Sequence, residues 1–373
     1  MKAMHYMLAA AWTAAKAPLS SLPTLVGPDN YWADMSASHL DAILNASALT
    51  ELPLQTSPSS NSIATTTTTT TTTTSNVIAA ATYHDYQDPC VDAIDSGGDG
   101  DGGPSSSSGL VLNVSCFDSR MTQAATIYKG VLHRHAGVEL WLGEGALHSN
   151  SGVPGMTNVF ESSLWYAHAL GYLARSGVGM LCRQTLLGGD YEIVNRTTGQ
   201  PNPDYYVALL WHDLVGTGGR TVTLDGCSSS STRRIGEDAG AELVGVACAD
   251  AVRVHAHTMS GDGGDGIVYV AINFAESTAF GLTFAASAPP SRSDYVSTTA
   301  SSSSSSSNSA TNKTGSMWQL TGHPQSNRIF LNGKPIPFAP EGSAPLQPLN
   351  PTQQSASAVV LPPASVTFFA IQN

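Results

Sequence analysis

The chain has 373 residues, which is long enough for a sizeable core and for two domains. Only 12% of the residues are charged, and the formal net charge of −12 is not offset by a lysine/arginine cluster, which argues against a nucleic-acid-binding role. No stretch reaches the roughly 18 apolar residues that a membrane-spanning helix needs.

The N-terminal part predicts a helix followed by two strands. Residues 4–15 indicate an amphipathic helix. A signal peptide, with Met1-Lys2 as its positive start and residues 4–15 as its apolar region, is the less favoured alternative, because the segment leads into a strand with no spacer. We expect strands over 23–29, ending in Asp29, and over 77–86.

Four low-complexity inserts interrupt the chain. They lie at about 55–75, with ten consecutive threonines, at about 95–109, and in two serine-rich tracts at about 228–232 and 297–312. Such tracts bury too little apolar surface to offset the entropy of ordering, so we expect disordered loops. O-glycosylated spacers are the alternative.

The most informative segment is Glu139–Gly145, an apolar strand that ends in a carboxylate and a glycine. Leu140, Leu142 and Glu144 share one face because strand side chains alternate. Chemistry in a parallel barrel sits at the C-terminal strand ends, and a carboxylate beside core leucines is costly unless it is paired or functional. The alternative is a strand-end glutamate that merely faces water.

Alternating elements follow this strand. We expect an amphipathic helix over 157–177, a strand over 178–184, a glycine loop over 187–191 and a helix over 207–215. This order is the βα repeat of a parallel α/β architecture. From residue 220 the pattern changes to short strands without helices, which predicts an antiparallel β-sandwich.

Histidines and cysteines give no metal-site spacing. His255 and His257 share a strand face, and exposed polar positions are favoured over a metal site. We expect Cys182 to be a buried free thiol. The sequence allows the disulfides Cys90–Cys116 and Cys227–Cys248 but decides neither of them. The N-x-S/T sequons support a secretory route only mildly; they start at Asn45, Asn113, Asn195 and Asn312.

Several uncommon segments together resemble one family. They are Trp141–Gly145, Asn158–Phe160, Leu164–Tyr166, Leu170–Tyr172, Cys182–Leu186, Gly188–Gly189, Pro201–Tyr206 and Ala208–His212, with Pro23–Asp29 and Ala81–Tyr86 upstream and Arg328–Lys334 and Val366–Asn373 downstream. In this order they resemble the heparanase family, glycoside hydrolase family 79, and especially its plant-like members. The resemblance covers most of the chain outside the inserts.

The resemblance implies the C-terminal half, strands five to eight, of a TIM-type (β/α)8 barrel over residues 1–219, and a closing antiparallel β-sandwich over 220–373. Strands one to four would then be missing. A half barrel leaves exposed edges and an uncovered core. We therefore expect an incomplete chain, with strands one to four supplied by upstream sequence or by a partner chain.

The resemblance also implies chemistry without a metal or cofactor. Glu144 matches the nucleophile of a retaining glycosidase, which needs a second carboxyl group as acid/base. The family carries that group in an Asn-Glu pair, and this sequence has no Asn-Glu dipeptide. Glu139, Glu161 and Glu192 do not match the role, so we expect no turnover by this chain alone.

Substrate-binding residues are implied at the strand ends around Glu144. His84 or Tyr86 would orient the carboxylate, glycines would let a backbone N–H approach a sugar carboxylate, and Tyr191 would add a hydroxyl or a stacking face. Rim packing is the alternative for His84 and Tyr86. The predicted set is His84, Tyr86, Asp29, Arg183, Gln184, Gly188, Gly189 and Tyr191.

Two functions follow from these observations. The first is heparanase-type hydrolysis of a uronic-acid-containing polysaccharide or proteoglycan glycan, less sulfated than heparan sulfate because the chain is acidic. The second is a non-catalytic glycan-binding or structural remnant. The family implies an extracellular, lysosomal or vacuolar, or membrane-associated location.

Overall fold

The computed structural model describes residues 25–28, 31, 33, 36–49, 75–76, 78–91, 112–222, 233–234, 251–259, 266–282, 314–337, 348–356 and 359–372. The predicted N-terminal helix, Asp29, the Cys227–Cys248 bridge and the inserts, apart from Ser75, lie outside these residues. Two compact units divide the chain. The first is Met1–Asp85, Arg120–Gly145 and Ser176–Cys182, and the second is Tyr86–Ser119, Ala146–Arg175 and Arg183–Asn373. The predicted division at residue 219 stays a prediction.

Strands and helices alternate in the N-terminal part, as the sequence predicts. The elements are β1 (Leu25–Val26), α1 (Ala37–Ser47), β2 (Ala48–Leu49), β3 (Ser75–Asn76), β4 (Ile78–Tyr86), α2 (Val114–Leu132), β5 (Glu139–Ala146), α3 (Phe160–Arg175), β6 (Met180–Arg183) and α4 (Pro203–Leu214). One sheet has the order β1-β4-β5-β6, with β1 parallel to β4, and β2 pairs with β3 separately.

The core of the first unit comes from apolar residues on β4 and β5. Ile78, Ala80 and Ala81 of β4 are buried, and so are Leu140 and Leu142 of β5. Ala80 and Ala81 are neighbours and point to opposite faces of the strand, yet both are buried. Burial of both faces is typical of a strand that is covered on both sides. The two leucines therefore occupy the core positions that the strand alternation predicts.

Helix α3 is shorter and more buried than the sequence predicts. Thr157 ends the preceding loop, because its hydroxyl donates to Val153 O and to Asp190 O, and the helix begins only at Phe160. In the second unit α3 contacts α4 and three strands of the C-terminal sheet, so most of its surface is buried rather than one face. Helix α4 begins at Pro203, a residue suited to the first helical position.

The C-terminal part of the second unit is built from antiparallel strands. They are β7 (Thr221–Val222), β8 (Arg233–Arg234), β9 (Val252–Thr258), β10 (Gly266–Asn273), β11 (Phe280–Leu282), β12 (Thr314–Gly322), β13 (Ile329–Leu331), β14 (Lys334–Pro335), β15 (Thr352–Ser355), β16 (Val359–Leu361) and β17 (Ser365–Gln372). The larger sheet has the order β14-β13-β12-β17-β10-β9-β7, with β15 on β12, and the smaller sheet is β16-β11-β8.

Both antiparallel sheets contribute to one hydrophobic core. Phe369 and Ile371 of β17 and Tyr269 of β10 pack in the same cluster as Phe280 of β11 and Leu361 of β16. Residues on the opposite face of β17 are buried as well, and helices α3 and α4 contact this strand. The central strand is therefore covered on both faces, which explains its nearly continuous apolar sequence.

A buried polar cluster connects α2, α3 and β9 within the second unit. His168 Nε2 lies 2.9 Å from Asp118 Oδ1, and His168 Nδ1 lies 3.0 Å from His255 Nε2. Arg253 donates to Asp118 from Nε and Nη2. The expectation that His255 and His257 are exposed is wrong, because helix α3 covers the face of β9 that carries them.

One of the two candidate disulfides is present, and the expected burial of Cys182 is wrong. Cys90 and Cys116 form a disulfide. Cys182 keeps its thiol and is exposed, not buried as predicted. It lies on β6, at the edge of the four-stranded sheet, and shares an exposed face with Met180. Among the described residues, no helix has the length and apolar composition needed to cross a membrane.

Candidate active site

Glu144 lies near the C-terminal end of β5 and is half-buried, with 32% of its side chain exposed. A Cβ on Gly145 would come within 2.8 Å of Leu142 Cδ2 and 3.3 Å of Asp85 O. A side chain after Glu144 would press on the Leu142 side chain and on the backbone of β4, which favours glycine at this position. The close approach fixes the backbone that carries the carboxylate.

His84 is the predicted site residue that the structure places beside Glu144. Its Nδ1 lies 3.6 Å from Glu144 Oε2, beyond ordinary hydrogen-bond length but within reach of an ion pair when the imidazole is protonated. His84 is near the C-terminal end of β4, and Tyr31 forms a parallel bridge with it. The pair thus joins two neighbouring strand ends in the first unit.

An ion pair next to His84 was missed by the sequence analysis. Arg120 Nη2 on α2 donates to Asp85 Oδ1 at 2.9 Å and to Tyr31 Oη at 2.9 Å. Asp85 is buried, and the charge of Arg120 compensates it. The available signal was an aspartate inside an apolar strand, which requires a partner. This pair fixes the strand end that carries His84.

The loop after β6 brings Gln184 and Tyr191 together in the second unit. Gln184 Nε2 donates to Tyr191 Oη at 3.4 Å, and Tyr191 is largely buried. Gly189 has φ of +73°, and a Cβ there would lie 2.8 Å from Ser151 O, so both conformation and space require glycine. The glycine pair is therefore needed for the fold of the loop itself.

Gly188 does not present a vacant N–H as the sequence analysis expects. Its N–H donates to Glu192 Oε2 at 2.8 Å, and the N–H of Arg196 donates to Glu192 Oε1 at 3.0 Å. Glu192 is buried, so the loop already contains a carboxylate of its own. A sugar carboxylate at Gly188 would have to displace it.

Arg183 is directed into the protein. Only 3% of its side chain is exposed, and Nη2 donates to Asp204 Oδ2 at 2.7 Å. Its guanidinium carbon lies over the rings of Trp165 and Tyr166, at 5.6 and 5.7 Å from the ring centroids. Burial raises the pKa of Tyr166 to about 12, so this phenol is neutral. Arg183 therefore connects β6 with α3 and α4, and its substrate contact stays a prediction.

The other predicted residues are distributed as follows. Tyr86 is half-buried at the end of β4 and belongs to the second unit, with Gln184 and Tyr191, whereas His84 and Glu144 belong to the first. Convergence of all these residues on one rim stays a prediction.

Three further carboxylates lie away from the C-terminal ends of the strands. Glu139 begins β5 and accepts a hydrogen bond from Trp141 Nε1, Glu161 is buried in the first turn of α3, and Glu192 lies in the loop. Within the described ranges, no group of three or more His, Cys, Asp or Glu side chains is arranged to hold a metal ion.

Solved structures similar to this chain include two glycoside hydrolases. A family 51 α-L-arabinofuranosidase from Bifidobacterium longum has a TM-score of 0.46 and 12% identity, over 79% of this chain and 53% of that chain. A family 44 xyloglucanase from Paenibacillus polymyxa has a TM-score of 0.40 and 13% identity, over 80% and 47%. No protein-family model matches the chain.

Curated relatives are more specific. Baicalin-β-D-glucuronidase of Scutellaria baicalensis is 38% identical over 119 residues, 32% of this chain and 23% of that protein. Heparanase-like protein 1 of Arabidopsis thaliana is 46% identical over 86 residues, 23% and 16%. Heparanase of Bos taurus is 37% identical over 79 residues, 21% and 14%.

The matched stretches span less than a quarter of each of these relatives. Over those stretches the resemblance to the heparanase family is confirmed, and the relatives support a glycosidase by family.

Proposed function

We propose that this chain is part of a heparanase-type retaining glycoside hydrolase in which Glu144 is the nucleophile. The observation that carries the proposal is the half-buried Glu144 carboxylate near a strand end, 3.6 Å from His84, in a chain that shares stretches of sequence with named glycosidases. A carboxylate in this position is held next to His84 and is still accessible to a sugar.

In the proposed reaction, Glu144 attacks the anomeric carbon and the glycosidic C–O bond breaks. A covalent glycosyl-enzyme ester forms, and water then hydrolyses it. A second carboxyl group about 5–5.5 Å away must first protonate the leaving oxygen and then activate the water. We propose that this group comes from barrel strands one to four, supplied by upstream sequence or a separate chain.

His84 is a positioning group in this proposal. The imidazole, with Nδ1 3.6 Å from Oε2, limits the positions that the carboxylate can take. The Asp85–Arg120 pair holds the neighbouring strand position, so His84 is supported from within the first unit. The glutamate is thereby kept in the orientation that attack requires.

The proposed substrate is a glycan that contains a uronic acid and carries little sulfate. The support is the names of two relatives, a glucuronidase and the hyaluronoglucuronidase of Hirudo nipponia, together with the net charge of −12. Gln184 and Tyr191 offer an amide and a hydroxyl for sugar hydroxyl groups. Gly188, Gly189, Tyr86, Arg183 and Asp29 complete the proposed binding set.

The architecture proposed for the complete enzyme is a (β/α)8 barrel closed by a β-sandwich, of which this chain supplies strands five to eight and the sandwich. The alternation of β4, α2, β5, α3 and β6, and the two antiparallel sheets that share a core, support it. We also propose a location in the secretory pathway or beyond it, because the Cys90–Cys116 disulfide is typical of oxidising compartments.

The test is a protein extended upstream to include strands one to four, assayed on an aryl glucuronide. We expect turnover by this protein and none by its Glu144→Gln variant, because the amide cannot form the glycosyl-enzyme ester. Glu139→Gln is the matched control, since Glu139 lies on the same strand but is exposed and bonded to Trp141; it should keep full activity.

A fluoro-sugar that traps the ester should label Glu144, as located by mass spectrometry of peptides. Labelling of another carboxylate in an active protein would show that the nucleophile is assigned wrongly. If the extended protein binds glycans without any turnover, the non-catalytic remnant is the correct function. Turnover by the 373-residue chain alone would show that the acid/base lies within it.

A further inference from the structure

Two sequons lie on exposed local structures that the proposed reaction does not use. The first, Asn195-Arg196-Thr197, is at the tip of a short hairpin after β6. Val194 bridges Pro201 across this hairpin, and the N–H of Asn195 donates to Gln200 O. Residues 196–199 at the tip are exposed. Because the hairpin is closed by its own hydrogen bonds, a group attached at its tip disturbs no core packing.

The amide of Asn195 has one atom in use and one available. Its Oδ1 accepts hydrogen bonds from the backbone N–H groups of Thr197 and Thr198, at 3.0 and 2.9 Å, and from the Thr198 hydroxyl at 3.1 Å. Its Nδ2 donates to no residue in the described part of the chain. N-glycosylation uses that nitrogen, so the turn and a glycan require different atoms of the same side chain.

The second sequon, Asn113-Val114-Ser115, has the same division of roles. Asn113 is exposed and caps α2, because its Oδ1 accepts the N–H of Cys116 at 3.0 Å. Its Nδ2 likewise donates to none of the residues that the structure describes. A glycan on Nδ2 would leave the cap intact.

The disulfide supplies an independent observation about the compartment. Asn113 lies three residues before Cys116, which is bridged to Cys90. Disulfides form in oxidising compartments such as the lumen of the endoplasmic reticulum, where N-linked glycans are also added. A chain that acquires this bridge therefore passes the machinery that reads both sequons.

We propose that Asn195 and Asn113 carry N-linked glycans. In each transfer, Nδ2 forms a bond to the anomeric carbon of an oligosaccharide carried on a lipid pyrophosphate. The sugar–phosphate C–O bond breaks, the pyrophosphate leaves with the electron pair, and Nδ2 loses one proton. Glycans at these sites would add hydrated polar surface to a hairpin tip and a helix start.

The other two sequons are not part of the proposal. Asn45 lies within α1, not in a turn or at a helix start. Asn312 lies outside the described residues.

The test is to express the full chain behind a cleavable signal sequence in a eukaryotic secretory host. Purified protein is treated with peptide N-glycosidase in ¹⁸O-water, which converts each glycosylated asparagine to labelled aspartate. We expect label at Asn113 and Asn195, because each loses one glycan to the enzyme. Thr197→Ala and Ser115→Ala should each remove one glycan while keeping the asparagine that forms the turn or cap.

Two controls separate occupancy from folding. Thr198→Ala removes a hydrogen bond to Asn195 but keeps the sequon, so the Asn195 glycan should remain. Asn113→Asp keeps an oxygen to cap α2 and removes the acceptor nitrogen, so the protein should fold with one glycan fewer. Absence of label at either asparagine in the secreted protein would overturn the proposal for that site. The result does not depend on glycosidase activity.

Discussion

Single side chains show what a strand-end pattern can predict about a site residue and what it cannot. Glu144 and His84 were both predicted as site residues, and the structure places them 3.6 Å apart. Arg183 was predicted from the same motif pattern, but its guanidinium is buried against Asp204. A strand-end position indicates which residues can reach a site, whereas the rotamer depends on the partners that surround it.

The Arg183–Asp204 pair predicts a large loss of stability on substitution. Asp204 accepts hydrogen bonds from the Arg183 guanidinium and from the hydroxyls of Ser162 and Ser163, and 4% of its side chain is exposed. Asp204→Ala leaves the buried charge of Arg183 uncompensated, and it leaves the buried hydroxyls of Ser162 and Ser163 without this acceptor. We expect a loss of about 3–5 kcal/mol in the free energy of unfolding, measured by urea titration.

Arg134→Ala is the control for that measurement. Arg134 pairs with Asp41, but almost half of its side chain is exposed, so its removal should cost about 0–1 kcal/mol. Equal effects of the two substitutions would contradict the view that the Asp204 network is buried.

Helix α3 and strand β9 pack so closely that the contact requires a glycine. A Cβ added to Gly171 would clash with Cγ and Cδ2 of the His255 ring. The tight contact also brings the ring of His255 to His168 on the same helix. The glycine in the Leu170–Tyr172 segment is therefore a packing requirement of the helix–sheet contact.

We expect Gly171→Ala to destabilise the protein, although alanine is the better helix former. Overpacking costs about 1–3 kcal/mol, which exceeds the roughly 1 kcal/mol gained from helix propensity. Gly130→Ala on α2 is the matched control, because nothing lies within 4 Å of a Cβ there, and it should stabilise the protein. Thermal unfolding of both variants measures the difference, and stabilisation by both would show that the contact is loose.

The stability of the second unit depends on histidines that are buried in the neutral form. Burial lowers the pKa of His168, despite the opposing contact with Asp118, and lowers that of His255 well below its ordinary value. Burial also lowers the pKa of His257, to about 4, beside Trp211. These rings connect α3 and α4 with β9. Protonation of any of them therefore destabilises the packing of the two helices on the sheet.

The protein should therefore lose stability in mild acid. Unfolded histidine titrates near pH 6.5, so below that pH the unfolded chain binds more protons than the folded chain. The stability that the neutral histidines contribute is complete above about pH 6.5 and is lost as the pH falls toward the pKa values of the folded state. For a ring such as His257, the loss in the free energy of unfolding is about 3 kcal/mol at pH 4.

Urea titrations between pH 7.5 and 4 test this pH dependence. His257→Phe should reduce the loss in acid, because no proton can then be taken up at this position. His212→Gln changes a histidine on α4 that is 82% exposed, and it should keep the full loss. A stability that is constant down to pH 4 in the unsubstituted chain would contradict the burial of neutral imidazoles.

Much of the fold could be predicted because the sequence patterns are local. The alternation around Leu140 and Leu142, and the short apolar strands after residue 220, predict elements that the structure contains. Helix starts were less predictable: α3 begins at Phe160 because Thr157 bonds to Val153 and to the distant Asp190. A hydrogen bond between residues far apart in the sequence, such as Thr157 and Asp190, leaves no periodic pattern in the sequence.

The sequence by itself determined the resemblance to glycosidases and indicated Glu144 as the candidate nucleophile, because a family motif is a run of neighbouring residues. Only the tertiary structure decided that Arg120 compensates Asp85, that Glu192 already holds the Gly188 N–H, and that His255 is buried under α3. Each of these facts concerns which groups meet across the fold. Composition and spacing do not specify that, since burial, charge compensation and hydrogen bonding depend on partners from other elements.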